Sequence, residues 1–553
     1  MYKRNLILLA ASFLLAVNVF PAQQPGQPAA AGAAPASAKT NSFALLKPEN
    51  YHAYVQQFAR DEQEATDKDP ADAWPWMAAR IPLFESSDKR FEEMYYFRWY
   101  AWQKHVVKSS RGFLITEWLP KPEMEDGYFG ALPDAAPFHL NEARWLRDPA
   151  VAEDYARFWL APGAGPRKYS FPLAASVRDV TLATGDSKLG VEMLPGLVEN
   201  YKAWEASNLD RSTGMYWQID TRDAMEKSIS GDGYRTPLMS YQAADAHTIA
   251  EFARKAGEPQ LADEFDARAK ELEKLIETKL WNAKDQFYEP LSPNADSGIR
   301  KQKKFIDPGT QMQSAGVREL IGYIPWLYTT PAPDHAMAWK QLFDAQGFAG
   351  KYGPTTVERR SPRFRFESDD QCTWNGPSWP FATTQTLLAL ANLLNGAAQP
   401  YIGAKDYYQL FENYVGSQHI VLKSGRRIDW IDEDLDADTD EWIAKDMLIQ
   451  KHKQVGRGNY YNHSGFADPL ITGMIGLRPR ADNRIELHPL LPAGTWNYFA
   501  LDGLPYHGSL LTIVYDRTGQ QYHRGRGLTI FANGKKIASR AELGPLQAEL
   551  PHR

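Results

Sequence analysis

The sequence predicts a mainly α protein: an (α/α) toroid, inner helices ringed by outer ones, followed by a small C-terminal β-domain. Three observations carry this. From about Ser42 to about Leu477 the recurring unit is an amphipathic helix followed by a polar loop. The unusual residues gather in those loops, not in the helices. After Leu477 the texture changes to short β-rich runs separated by turns.

The first residues pair a basic start, Lys3 and Arg4, with an apolar run too short to span a bilayer comfortably. That is the pattern of a bacterial export signal, with cleavage expected after Ala22. Residues 23–41, rich in Ala, Pro, Gln and Gly, read as a flexible linker. No later apolar stretch reaches membrane length, so no membrane insertion is expected once the signal is removed. The single cysteine, Cys372, leaves no internal disulfide. A soluble, exported, periplasmic protein is the expectation.

The toroid is expected over 42–477. Ala243–Thr278 shows its logic: Ala246, Ile249, Ala250 and Ala253 mark one apolar face, and Leu261, Phe265, Ala269 and Leu272 a second. Gly257-Glu258-Pro259 breaks the chain between them. Comparable helix pairs are expected to begin near Phe91, Val151, Phe171, Gly316 and Phe381. No fixed sequence period links them, so a repeat array is not expected. Over 478–553, Arg484–His488, Leu510–Tyr515 and Leu528–Phe531 read as strands. Asp502-Gly503-Leu504-Pro505 and Asn533-Gly534 read as turns, the second a strong hairpin signal. Structural support is the expected role of this region.

Composition narrows the chemistry. Lys plus Arg number 62 against 68 Asp plus Glu, a formal net charge of −6, and no basic patch suggests a nucleic-acid partner. Aromatics are plentiful: 17 Trp, 27 Tyr and 25 Phe. The most informative stretch is Cys372-Thr373-Trp374-Asn375-Gly376-Pro377-Ser378-Trp379-Pro380-Phe381, a loop stiffened by Pro and Gly ahead of an apolar helix. It can hold two indole faces and an amide at fixed angles, which suits a sugar ring.

Three acidic loops accompany it. In Trp217-Gln218-Ile219-Asp220-Thr221-Arg222-Asp223-Ala224-Met225-Glu226 carboxyls stand beside an indole, and desolvation there raises a carboxyl's pKa into proton-donating range. The same acids could instead complement a helix N-terminus. The second loop, Asp432-Glu433-Asp434-Leu435-Asp436-Ala437-Asp438, offers no register with the Gly and Glu of a calcium loop. A Trp at each end, Trp430 and Trp442, argues that it is more than a solvated loop. In the third, His139 and Glu142 share one helical face. Tyr460-Tyr461-Asn462-His463-Ser464 adds a polar, aromatic loop.

Phosphate-binding and zinc motifs are missing from the sequence, so no cofactor and no metal are expected. Gly376-Pro377-Ser378-Trp379-Pro380 fails as a nucleophile elbow, and Cys372 reads as a structural thiol. Carboxyls with aromatics are the toolkit of glycosidic-bond cleavage.

These motifs resemble (α/α)6-barrel glycosidases of the six-hairpin clan that includes glycoside hydrolase family 63 and trehalases. The chain looks most similar to the mannosylglycerate-hydrolase-like group. The resemblance covers about Asn50 to Arg480 and rests on the Cys372–Phe381 loop, Tyr95-Tyr96-Phe97-Arg98-Trp99, Asn462-His463-Ser464 and the stretch ending at Arg480. It implies a general acid at Glu226, with Asp223 a rival because Arg222 stands where relatives carry Glu. It implies a general base at Glu433. In an inverting enzyme the two carboxyls stand about 6.5–9.5 Å apart. Trp217, Trp374 and Trp379 would line the site, with Asn375, Arg98, His139, Glu142 and His463 around the substrate. An inverting, exo-acting hydrolase of α-linked oligosaccharides is what the resemblance implies. Residues 128–137 depart from the relatives, which implies an altered pocket. A polysaccharide lyase or α-L-rhamnosidase on the same fold, or a non-catalytic glycan-binding protein, are the alternatives.

Overall fold

The computed structural model describes residues 44–66, 69–119, 130–293, 311–365, 373–444, 458 and 460–551. The expected signal, the linker and Cys372 lie outside the described residues. Helices α1 (His52–Thr66), α2 (Trp74–Arg80) and α3 (Lys89–Gln103) come first. Inner-then-outer pairs follow: α4 (Ala136–Ala143) with α5 (Ala150–Phe158), α6 (Leu173–Thr184) with α7 (Lys188–Asn208), and α8 (Thr236–Ala256) with α9 (Pro259–Leu275). Next come α10 (Pro325–Tyr328) with the 3₁₀ segment Pro333–Gln341, then α11 (Pro380–Asn395) with α12 (Ala404–Ser417). The 467–474 segment is the sixth inner wall, and α3 packs outside it. Asn141, Arg178, Thr248, Tyr328, Leu388 and Thr472, one from each inner element, face a single axial cavity. The fold is an (α/α)6 toroid carrying a strand-rich C-terminal region.

The α8–α9 break falls where the sequence places it. Gly257 adopts φ +78°, open to glycine without steric cost, and Pro259 occupies the first turn of α9. Neighbouring inner helices are cross-linked as well as packed: Asp245 of α8 accepts the Ala175 N–H of α6 at 3.0 Å. The pair expected near Gly316 is thin. Pro325, Pro331 and Pro333 cannot donate to a helical ladder, so this stretch forms short turns and the four-residue α10. Among the described residues no helix is long and apolar enough to cross a membrane.

The C-terminal region corrects one expectation and adds one. Asp502-Gly503-Leu504-Pro505 is not a turn but the middle of the strand Tyr498–Tyr506. Gly503, at φ +73°, marks a register shift between Asp502 and Leu504, so the glycine serves a bulge. The chain reverses instead at His507-Gly508, both at positive φ. Asn533-Gly534 does turn the hairpin between Gly527–Ala532 and Lys535–Arg540. Unforeseen is the edge strand Leu83–Ser86, which pairs antiparallel with 499–502 and gives this sheet its fifth strand. Asp502 strengthens the join, accepting N–H bonds from Leu45 at 2.7 Å and Leu46 at 2.8 Å. Its other oxygen takes the Thr512 hydroxyl at 2.5 Å.

Replacing Asp502 by Ala should therefore loosen the start of the folded chain while leaving the toroid intact. Hydrogen exchange should show faster exchange at the Leu45 and Leu46 amides than in the parent; unchanged protection there would count against the join.

Candidate active site

The first acidic loop is held in an unusual shape. After strand Met215–Gln218 comes a 3₁₀ turn, Asp220–Asp223, and then two non-glycine residues in the left-handed region, Ala224 at φ 56° and Lys227 at φ 59°. Such residues cost about 1–3 kcal/mol each, so their surroundings must impose them. Arg235, wholly buried at the start of α8, is the main restraint. Its Nε donates to Asp223 Oδ2 at 2.6 Å, and its Nη1 donates to Ser228 Oγ at 3.1 Å and Ser230 Oγ at 3.0 Å. Ser170 also donates to Asp223. Asp223 is thus the counter-ion of a buried guanidinium. Glu226, between the two left-handed residues, borders a cavity.

The loop carrying Glu433 is anchored rather than solvated. Trp430 and Trp442 are buried, and Trp442 Nε1 donates to His419 O at 2.8 Å. Asp432, Glu433 and Asp434 are all buried. Asp432 Oδ1 accepts the Glu433 N–H at 2.8 Å, which aims the next side chain. Further acids of the loop are held too: Asp438 by both terminal nitrogens of Arg359 at 2.8 Å, Asp436 by Arg365, and Asp440 beside the His419 imidazole at 3.2 Å.

Residues 373–379 join these two loops. At one end the Trp374 N–H donates to Glu226 O at 2.9 Å. At the other, Ser378 and Leu435 exchange both backbone bonds, at 2.8 and 2.9 Å. Between them Gly376 sits at φ +155°, and a Cβ there would lie 2.5 Å from the Arg365 side chain, so only glycine fits. Trp374 and Trp379 stack on each other, centroids 4.7 Å apart at 23°. Each therefore offers one outer face, not a slot between two.

The cavity at this junction measures about 60 Å³. Four carboxyl residues border it, Glu117, Asp134, Glu226 and Glu433, with Trp374, Trp379, Phe381 and Tyr461 as aromatic walls. Burial pushes the Glu226 carboxyl up to about 8, and the nearby charges of Asp134 and Glu433 add to the rise. Asp134 is pushed up to about 7, by burial first and by Glu433 next. Its Oδ1 is buried without a partner. Burial drives the His463 imidazole down to about 3, so it is neutral. Its Nε2–H donates to Glu433 O at 3.1 Å, which leaves Nδ1 as an acceptor. The arrangement offers one carboxyl that keeps its proton near neutrality, set across a cavity from another carboxyl. That is the equipment of general acid–base catalysis.

Of the residues singled out from sequence, Glu226, Glu433, Trp374, Trp379 and His463 border this cavity, whereas Asp223, Trp217, Asn375, Arg98, His139 and Glu142 do not line it. Asn375 accepts the Arg365 N–H on its carbonyl at 2.6 Å. Arg98 spends its guanidinium on Tyr414, Gln418 and Ser464 at 2.7–3.0 Å. His139 bonds Tyr155 at 3.1 Å and the Asn462 carbonyl, and burial holds it neutral, at about 4. Glu142 takes the N–H groups of Phe466, Ala467 and Asp468 at 2.7–3.1 Å. Arg98, His139 and Glu142 thus fix the 462–468 segment that presents His463. Trp217 packs edge-on against Tyr234, centroids 6.2 Å apart. Asp134 falls in the stretch that departs from relatives, and Tyr461 in a loop already noted. Glu117 and Tyr169 carried no sequence signal; each is a lone residue with no pattern around it.

A family model for the mannosylglycerate hydrolase MGH1-like glycoside hydrolase domain matches residues 128–464. One for the C-terminal domain of glycosyl hydrolase family 65 matches 477–538. A solved structure described as "Sialidase" is 36% identical, with a TM-score of 0.81 over 91% of this chain and 45% of that one. This chain therefore spans less than half of that protein. A GH63 mannosylglycerate hydrolase from Thermus thermophilus, in complex with glucose, is 14% identical, with a TM-score of 0.45 over 68% of this chain and 98% of that one. A GH78 family rhamnosidase of a Bacillus species is 12% identical, with a TM-score of 0.48 over 79% of this chain and 40% of that one.

The environments of Asp223 and Glu226 predict opposite phenotypes. Asp223→Ala leaves Arg235 buried without its counter-ion and should lose about 3–5 kcal/mol of stability. Glu226→Gln should melt within a few degrees of the parent. Thermal unfolding followed by circular dichroism compares them directly.

Proposed function

The chain belongs to the mannosylglycerate hydrolase MGH1-like glycoside hydrolase family, and on that premise we propose that it hydrolyses α-linked oligosaccharides from one end with inversion at the anomeric carbon. Glu226 is the general acid and Glu433 the general base. The observation that carries this reading is the convergence of both carboxyls on one cavity, with Glu226 pushed up to about 8.

In the ground state Glu226 is protonated at neutral pH, and its proton goes to the leaving glycosidic oxygen as the C–O bond breaks. Glu433 takes a proton from a water, whose oxygen bonds to the anomeric carbon from the opposite face. A water needs about 10–15 Å³, so the 60 Å³ between the loops has room for the nucleophile. The outer face of the Trp374–Trp379 stack suits the C–H face of a sugar. Asp134 and His463 Nδ1 are acceptors placed for sugar hydroxyls. A small cavity walled by loops supports exo action on short chains. The basic, then apolar, N-terminus supports export to the periplasm.

Glu433→Gln and Glu226→Gln should each lower kcat by about 10²–10⁴ or more while keeping the parental unfolding midpoint. Product analysis by NMR at early times should show the β-anomer released from an α-linked substrate; retention would refute the inverting mechanism. An ultraviolet-absorbing unsaturated product would identify a lyase instead, and sugar binding with no turnover of any glycoside would identify a binding protein.

The pH dependence follows from the acid's state. Because Glu226 must carry a proton, kcat/KM should fall as pH rises through about 8. In Asp134→Asn a contributor to that rise is gone, so the alkaline limb should move to lower pH.

A further inference from the structure

A second cavity, of about 560 Å³, opens at the other end of the toroid. It shares no lining residue with the catalytic cavity. Asp134 and Phe381 stand at or before the N-termini of α4 and α11, whereas Arg144, Arg254 and Asn392 stand at or near the C-terminal ends of α4, α8 and α11. The inner helices separate the two sites by their own length.

This far cavity is rich in guanidinium groups: Arg144, Arg178, Arg254 and Arg478 face it, against the carboxyls of Asp179, Glu251 and Asp468. Helix C-termini carry partial negative charge, and cations beside them need no further account. Three of the four arginines also have acidic partners. Arg144 pairs with Asp468 at 2.6 Å, Arg178 with Glu251 at 2.5 Å, and Arg254 with Asp266. Arg478 differs on both counts. It lies beyond the last inner element, on the connection into the strand-rich region, and belongs to no helix. Its side chain makes one hydrogen bond, to the neutral Asn392 Oδ1 at 2.7 Å, and among the described residues it forms no ion pair.

Asp468 and Glu486 carry carboxylate charges that favour the Arg478 cation, though neither forms an ion pair with it among the described residues, and Asp468, whose Oδ2 is buried without a hydrogen-bond partner, is shared with Arg144. Asp468 Oδ1 takes Arg144 Nε at 3.0 Å, Arg144 Nη2 at 2.6 Å and Trp145 Nε1 at 2.8 Å. Burial, with the Arg144 charge adding to it, disfavours the Arg478 cation by more than Tyr407, Asp468 and Glu486 favour it. A guanidinium drawn out of water and set near another guanidinium is costly unless an anion compensates it. Asn141, also facing this space, has a buried side-chain oxygen with no partner; rotated about its amide, it would present donors instead.

We propose that the far cavity binds a small oxyanion, a carboxylate, sulfate or phosphate group, with Arg478 as its principal contact and Arg144 and Arg178 as flanking charges. The planar fork of Arg478 has donors left to take two oxygens of such a group side by side. The volume exceeds that of a bare ion, so the group could be free or carried on a larger molecule such as a sugar phosphate. Because Arg478 stands where the toroid meets the strand-rich region, occupancy would stabilise that junction.

Titration of the full chain with inorganic phosphate, sulfate and a hexose phosphate, at ionic strength fixed with chloride, tests this by calorimetry and thermal unfolding. Saturable binding and a rise in unfolding midpoint are expected with at least one of the three and not with chloride. Tighter binding of the hexose phosphate would identify the larger ligand, and equal binding the free ion. Glu226→Gln should retain the effect; Arg478→Gln should weaken binding about tenfold or more. No saturable binding, or equal affinity in Arg478→Gln, would overturn the proposal. Should Arg478→Gln fail to fold, Arg178→Gln, on a partly exposed side chain, serves instead: unchanged affinity there overturns it as well.

Discussion

Glu226 and Glu433 border one cavity because one short loop is hydrogen-bonded to the Glu226 backbone and to Leu435, two residues beyond Glu433. The Trp374 N–H grips the Glu226 carbonyl, and Ser378 forms a two-bond bridge with Leu435. Neither carboxyl lies on a helix, so neither is positioned by regular structure. Pro377 and Pro380 fix φ on either side of Ser378-Trp379, and Pro380 begins α11, which roots the loop in the inner ring. A shift in this loop would move both carboxyls at once. Since a misplacement of about 1 Å can cost a factor of about 10² in rate, the loop's rigidity matters as much as the identity of the acids.

Behind this loop the site is backed by polar groups whose bonds point away from the cavity. Glu142 closes three backbone N–H groups, Arg98 collects the Ser464 carbonyl and hydroxyl, and His139 holds the Asn462 carbonyl. Together they make the 462–468 segment a wall, and that wall carries His463 against Glu433. Such residues are buried and satisfied, and they keep water from entering from behind. The resulting desolvation raises the Glu226 carboxyl and lowers the His463 imidazole.

Local chemistry was readable from sequence, and long-range pairing was not. Gly257 and Pro259 announced the α8–α9 break, and Asn533-Gly534 its hairpin, because each turn is dictated by its own residues. Trp430 and Trp442 announced an anchored loop, and the resemblance left Glu226 and Asp223 as rivals that their surroundings in the fold distinguish. Gly503-Leu504-Pro505 misled, since a glycine serves a bulge as well as a turn. Glu117 was invisible because a single carboxyl after a strand has no pattern. Arg98, His139 and Glu142 stood out as polar residues amid aromatics, yet whether such a residue faces substrate or backbone depends on partners more than 300 positions away.

The strand Leu83–Ser86 has a consequence for how the molecule is made. It pairs with 499–502, which are synthesised more than 400 residues later. Until then its edge is an open template of N–H and carbonyl groups, the kind of surface that invites mispairing. Its closure is a high-contact-order step, slow relative to the helical hairpins between. The ring is thus latched by a strand made after all of its helices, and a chain stopped before that latch would hold its helices but leave the strand Leu83–Ser86 exposed.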